Sequence, residues 1–288
     1  MRTLAAAVPL ALSLAACGSD DDPPVERPLV FGGDRPVTLQ VPSDFDPSQT
    51  YPLMIVLHGY GVTGFVQQGY LGLNDVPSSH GMLVLAPEGT PDSGGSQFWN
   101  ADPACCDFGG IGVDDVGYLG GLIEAVSDAW PVDPSHVAVV GHSNGAFMAY
   151  RVACERADVV TAIAGLAGHA TSTPCTPSRP VHVLHIHGTT DAIVPYESGL
   201  FSGVQSPGAV ESVAQWATRN GCAGGPSPQD PKDLERTIAG AETAVAMTSR
   251  CPADGAADLW TIAGGSHHPA FGPGFATELL AWLAAHGR

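Results

Sequence analysis

Near the middle of the chain an apolar stretch, Val137-Ala-Val-Val140, runs into Gly141-His142-Ser143-Asn144-Gly145, and a proline-free run, Ala146-Phe-Met-Ala-Tyr-Arg-Val-Ala153, follows. A strand that turns sharply into a helix leaves no room for side chains two residues either side of the turn, and glycine stands at both places. Such a turn lifts the central hydroxyl clear of the sheet. Ser143 is therefore the candidate nucleophile. The chain holds 36 glycines, so the pentapeptide alone could arise by chance. The strand pattern before it and the helix pattern after it distinguish this copy.

With 288 residues, 44% of them apolar, the chain can bury the core of one large α/β domain. Met1 to Ala16 reads as an export signal: Arg2, an alanine and leucine run, then Leu14-Ala15-Ala16-Cys17, which resembles a bacterial lipobox. Cys17 would then be the lipid-modified N-terminus, residues 17–34 a disordered tether, and residues 35–288 the folded domain. The apolar run is too short to span a bilayer, so membrane attachment is expected only through Cys17, with plain secretion as the alternative. The formal net charge is −18 and Lys232 is the only lysine, a balance that repels nucleic acid. The domain is expected to act as a monomer.

Apart from Cys17, six cysteines remain, an even number that suits disulfides in an exported protein. Cys222 with Cys251 would bracket a Pro/Gly-rich excursion, and Cys154 with Cys175 would tie the end of the Ser143 helix to a loop. That leaves Cys105 and Cys106 as a vicinal pair. No Cys-x-x-Cys spacing or paired Cys/His cluster argues for zinc instead, and no metal or other cofactor is expected.

Arg35 to Val41 alternates as an edge strand. Leu53-Met-Ile-Val-Leu57 is continuously apolar, as in a parallel sheet covered on both faces, and ends in His58-Gly59-Tyr60-Gly61. A glycine-relieved turn there can aim a backbone N–H beside Ser143, which assigns an oxyanion hole to the N–H groups of Tyr60 and Asn144. Met82 to Ala86 is another buried strand. The loop 87–112 after it carries Trp99, which either floors a substrate site or packs the loop onto the domain. Asp114 and Asp115 are expected to cap a helix over Val116 to Trp130.

Val160 to Ala167 gives a strand, and Val181-His-Val-Leu-His-Ile-His187 alternates into Gly188-Thr-Thr-Asp191. Asp191 is the candidate acid. His185 and His187 share a face without a carboxylate or cysteine partner nearby, so they read as buried strand histidines rather than metal ligands. Ser206-Pro-Gly is expected to cap a helix through Arg219. Residues 221–257 read as irregular apart from a strand over Thr243 to Ser249. Leu259 to Ile262 is the last strand, Gly264-Gly-Ser-His267-His268 the loop after it, and Phe275 to His286 a closing helix. His267 is the candidate base, with His268 as runner-up.

The order Ser143, Asp191, His267, each on a loop after a strand, is that of the α/β-hydrolase fold, with a mostly parallel central sheet and helices on both faces. His267 would take the Ser143 proton while Asp191 fixes the imidazole tautomer. Tyr60, Trp99, His142 and Ile193 would border the substrate. Strands and helices claim most of the two intervals between these residues, which leaves no room for a large lid domain.

Gly141-His-Ser-Asn-Gly-Ala-Phe-Met, Leu57-His-Gly-Tyr-Gly, Phe98-Trp-Asn-Ala, Cys105-Cys-Asp-Phe, Val113-Asp-Asp-Val-Gly-Tyr, His187-Gly-Thr-Thr-Asp and Trp260-Thr-Ile-Ala-Gly-Gly-Ser-His together resemble the exported polyhydroxybutyrate depolymerase and feruloyl esterase group of α/β-hydrolases. The resemblance runs from about Arg35 to the C-terminus. It implies an exported carboxylic ester hydrolase acting on polymer-borne esters, with Ser143, Asp191 and His267 as its triad. The group's last motif commonly reads Gly-Gly-Gly-His-x-Trp-Pro, whereas this chain has Gly264-Gly-Ser-His-His-Pro-Ala, so the wall beyond His267 is altered. Polyhydroxyalkanoate, feruloylated or acetylated plant polysaccharide and aromatic polyesters of the PET or cutin type are the substrates in play. A serine peptidase of the same fold is the alternative.

Overall fold

The structure, a computed structural model, describes residues 26–287. The expected export signal and Cys17 lie outside them. Eight strands form the central sheet: β1 (Tyr51–Leu57), β2 (Leu83–Leu85), β3 (Val132–His142), β4 (Ala162–Leu166), β5 (His182–Gly188), β6 (Gly224–Lys232), β7 (Thr243–Ser249) and β8 (Ala257–Ile262). Their order is β6-β7-β8-β5-β4-β3-β1-β2. The six strands from β8 to β2 pair in parallel, and β7 and β6 extend the sheet antiparallel.

The unbroken apolar run of β1 reflects burial on both faces. Leu53, Ile55 and Leu57 point into one core, and Met54 and Val56 into the other. The first core is closed by α3 (Asp115–Ala129), α4 (Asn144–Glu155) and α5 (Gly208–Arg219), which contribute Ile123, Phe147 and Trp216. The second is closed by α6 (Gly274–Ala285) through Phe275, Leu279 and Leu283, with Leu71, Leu73 and Val76 from the region of α1 (Gly64–Tyr70) and α2 (Val76–His80). Among the described residues no helix is long and apolar enough to cross a membrane.

Several expectations need correction. The part of the tether that is described is not loose. Val30–Phe31 pairs with Val37–Thr38, and Trp130 donates its indole N–H to the Pro28 carbonyl at 2.8 Å. Arg35 to Val41 is only that short strand and a bridge from Gln40 to Val84. Asp114 does cap α3, accepting from Gly117 N–H at 2.8 Å, but Asp115 turns inward, where it accepts from Arg35 at 2.6 Å and from Asn100 N–H at 2.7 Å. Ser206 caps nothing, because its hydroxyl is taken by His169 Nδ1, and Pro207 stands at the cap of α5 instead. Residues 224–232 are a strand, not irregular chain: Pro226, Pro228 and Pro231 are tolerated because β6 is the outermost strand, where absent N–H donors cost the ladder little.

Disulfides join Cys154 to Cys175, Cys222 to Cys251 and Cys105 to Cys106. The first two close loops of 21 and 29 residues in sequence separation, each worth about 3 kcal/mol by loop entropy. Reduction should therefore lower the melting temperature of the oxidised protein. A scan with and without reductant checks this, and coincident transitions would count against the bridges.

Candidate active site

Ser143 sits between β3 and α4 with φ 53° and ψ −120°, a left-handed backbone that a non-glycine residue adopts only under tertiary constraint. Its N–H is held by the Leu166 carbonyl at 2.8 Å. The flanking glycines are required by contact. A Cβ on Gly141 would collide with the Gly145 carbonyl oxygen, and one on Gly145 with the Leu57 carbonyl oxygen at the end of β1. The sharp turn and the β1 turn therefore touch, which brings Gly59 and Tyr60 beside Ser143.

His267 Nε2 lies 2.9 Å from Ser143 Oγ, and its Nδ1 lies 2.7 Å from Asp191 Oδ2. The carboxylate of Asp191 is fully enclosed. Its Oδ1 accepts from the N–H groups of Ile193 and Val194 at 2.8 and 2.9 Å, and Oδ2 also faces His187 Nε2 at 3.2 Å. Burial alone would raise its pKa, but the hydrogen bonds from His187, His267 and Ile193 outweigh that and hold the carboxyl well below the usual range. The alternative base, His268, is exposed and touches neither Ser143 nor Asp191 among the hydrogen bonds of the described residues.

Neither Tyr60 N–H nor Asn144 N–H has a protein acceptor among the described residues. The turn that carries Tyr60 is pinned from behind. His58, fully buried, donates from Nδ1 to the Gly59 carbonyl at 2.8 Å and accepts Gly89 N–H at Nε2 at 2.8 Å. The Asn144 side chain adds a second fastening, unforeseen from sequence. Its Oδ1 accepts from Trp99 N–H at 2.7 Å and its Nδ2 donates to the Trp99 carbonyl at 2.9 Å, clasping the long loop to the start of α4.

Two of the four expected substrate-bordering residues do not fill that place. Trp99 is fully buried, lies tilted against the His58 ring with centroids 5.0 Å apart and donates its indole N–H to the His58 carbonyl at 3.1 Å, so it packs the loop rather than flooring a site. His142 is buried behind His267 and donates from Nε2 to the His267 carbonyl at 2.9 Å, so it supports the base instead of meeting substrate. Tyr60 and Ile193 are exposed, and the Tyr60 ring meets the exposed Phe108 edge-on at 5.6 Å. Phe108 belongs to the Cys105-Cys-Asp-Phe motif, but nothing in its local pattern places its ring against Tyr60.

His142, His267 and His268 are the one His/Cys/Asp/Glu group among the described residues compact enough for a metal ion. Both ring nitrogens of His267 already face Asp191 and Ser143, and His142 Nε2 is committed to a carbonyl.

Burial pushes several histidines down: His142 to about 3, with the charge on His267 adding to the effect, His58 and His169 to about 4, and His185 well below its ordinary value. These rings stay neutral when folded but bind protons unfolded. Their contribution to stability is whole above about pH 6.5 and is lost as pH falls toward their folded values, at up to about 1.4 kcal/mol per ring per pH unit. Buried Asp115 and Asp258, whose pKa values burial raises, act in the opposite sense nearer the carboxylate range. Denaturant unfolding should thus show a clear loss between pH 7 and pH 5. A flat profile there would contradict neutral buried rings.

No family model matches the sequence. Among curated proteins the chain is similar to feruloyl esterase B of Piromyces equi, 29% identical over 245 residues, covering 81% of this chain and 42% of that protein. It is also similar to a probable feruloyl esterase C of Aspergillus niger, 27% identical over 194 residues, covering 65% of this chain and 63% of the relative. The chain thus spans about half the length of these relatives. In structure it is similar to an acetyl xylan esterase from Aspergillus awamori, with a TM-score of 0.59 at 15% identity over 87% of this chain and 94% of that one. A thermostable esterase gives a TM-score of 0.61 at 16% identity over 90% of this chain and 62% of that one. By fold the chain is an α/β-hydrolase, and in sequence it is similar to the feruloyl esterases.

Proposed function

We propose that the protein is a serine carboxylic ester hydrolase that works through an acyl-enzyme. The observation that carries this reading is the unbroken hydrogen-bond line from Ser143 Oγ through His267 to Asp191. Because the carboxylate only accepts, His267 carries its proton on Nδ1 and presents a lone pair at Nε2 to the serine hydroxyl. Ser143 attacks the ester carbonyl, His267 takes its proton and returns it to the leaving alcohol, and water repeats the sequence on the acyl-enzyme. Tyr60 and Asn144 N–H groups receive the oxyanion. None of these steps draws on a cofactor.

The substrate proposed is an ester carried on a bulky polymer, of the hydroxycinnamoyl or acetyl kind on plant polysaccharide. The activities of the relatives, feruloyl and acetyl xylan esterases, support this choice over polyhydroxyalkanoate or aromatic polyester. A cleft lined by Tyr70, Arg236, His268, Pro269 and Phe271 begins one residue beyond His267, where the sequence departs from the family motif. Export is part of the proposal, supported by the three disulfides, as is anchoring through Cys17.

Initial rates on methyl ferulate, acetylated xylan, a nitrophenyl acetate, polyhydroxybutyrate film, an aromatic polyester film and a matched anilide test the reading. Ferulate or acetate release above a Ser143→Ala blank is the expected result. Faster cleavage of the anilide than of its ester would overturn it in favour of a peptidase, and release from a film alone would overturn the polysaccharide substrate.

A further inference from the structure

Behind Asp191 lies a line of buried polar rings that the proposed reaction does not use. Tyr150 Oη is 2.7 Å from His185 Nδ1, His185 Nε2 is 3.1 Å from His187 Nδ1, and His187 Nε2 faces both Asp191 Oδ2 at 3.2 Å and the Val194 carbonyl at 2.9 Å. All three side chains are fully buried. The end nearest the site determines the rest. A carboxylate and a carbonyl can only accept, so His187 must carry its proton on Nε2 and offer a lone pair at Nδ1. His185 must then donate from Nε2, and its own lone pair at Nδ1 must accept from the tyrosine hydroxyl. Every proton on the line points toward Asp191.

We infer that His187 is a positioning residue for the base, holding the Asp191 carboxylate against His267 through an Nε2–H that the Tyr150–His185 pair locks in place. This rests on the reading of Ser143, His267 and Asp191 as a hydrolytic triad. The line also joins two parts of the site mechanically. Tyr150 lies on α4, which begins beside Ser143, while His187 is the next-to-last residue of β5, which leads to Asp191. The nucleophile's helix and the acid's loop are thus fastened to each other through three side chains. Burial keeps the Tyr150 hydroxyl protonated and the His185 ring neutral, as the donor directions require. The other titratable groups facing His187 are His169, stacked at 5.5 Å, and Tyr196, edge-on at 5.7 Å. His169 is itself fixed, donating from Nε2 to the Pro195 carbonyl and accepting from Ser206 at Nδ1.

Removing the His187 donor leaves more negative charge on the Oδ2 atom that faces His267, so the base becomes easier to protonate. His187→Leu should lower kcat by roughly tenfold to a hundredfold with KM nearly unchanged, and move the acid limb of the kcat/KM profile up by about half a pH unit. His187→Gln, which keeps an N–H donor, should restore most of that shift. An acid limb that stays in place in His187→Leu would reduce His187 to packing and overturn the inference.

A second measurement does not depend on turnover, and its deciding readout uses the wild-type protein. In wild-type protein carrying ¹⁵N-histidine, long-range ¹⁵N–¹H spectra should show His187 as a single Nε2–H tautomer. In Tyr150→Phe the line loses its outer donor, and the Nδ1–H form should appear. An Nδ1–H tautomer in wild type overturns the inference. If instead Ser143→Ala keeps its activity, the triad reading fails while the tautomer result stands, so the two failures are told apart.

Discussion

Ser143→Ala is expected to lose turnover by a factor on the order of 10⁶ while the melting temperature and near-ultraviolet dichroism stay at wild-type values. The loss is total for the acyl-enzyme route because Oγ is the one atom on the His267 side of the line that can attack, 2.9 Å from Nε2. The fold is spared because the turn is held by backbone contacts. The Ser143 N–H bond to Leu166 and the close approach of Gly141 and Gly145 to neighbouring carbonyls are untouched by deleting a hydroxyl. Labelling by a fluorophosphonate, lost in the variant, gives a second readout. Retained hydrolysis with retained labelling would move the nucleophile elsewhere.

The second large effect is expected at Asp191. Replacing it by Asn should reduce kcat by a factor on the order of 10⁴, because the imidazole loses the partner that keeps its lone pair aimed at the serine. The surroundings make this substitution harsher than its size suggests. Four N–H groups converge on the carboxylate, two at each oxygen. An amide must present its own NH₂ to one of these pairs whichever way it is turned, so donor meets donor and the loop from Gly188 to Val194 has to shift. A fall in both kcat and thermal stability is expected, measured by steady-state rates and calorimetry. A variant with full activity would remove Asp191 from the site.

Much of the fold and the site could be read from local pattern. The run Leu53 to Leu57 announces a strand covered on both sides, and the glycine pair around Ser143 announces a sharp turn, because each rests on a short-range steric or hydrophobic rule. Asp191 and His267 follow from their position after strands. What escapes is whatever depends on partners distant in sequence. Asp115 looks like a cap beside Asp114, and only the fold brings Arg35 to it across 80 residues. Trp99 looks equally suited to a pocket or a core, and the clasp from Asn144 decides for the core. The three-proline segment 224–232 defies strand propensity because the scale describes an interior position. His187 reads correctly as a buried strand residue, yet its contact with Asp191 depends on how the next loop folds back.

The two ends of the sheet carry a consequence for life in a crowded medium. At one end β6 presents an outer row in which Pro226, Pro228 and Pro231 have no N–H to offer, and its pairing with β7 is interrupted twice. At the other end β2 is short, and Gln40 occupies the free backbone of Val84 with two hydrogen bonds, 2.9 and 3.0 Å long. Another chain seeking to add a strand finds a broken ladder on one side and an occupied one on the other. The same sheet that aligns Ser143, Asp191 and His267 is thereby a poor template for its own copies, which favours dispersed molecules over fibrils when the protein accumulates.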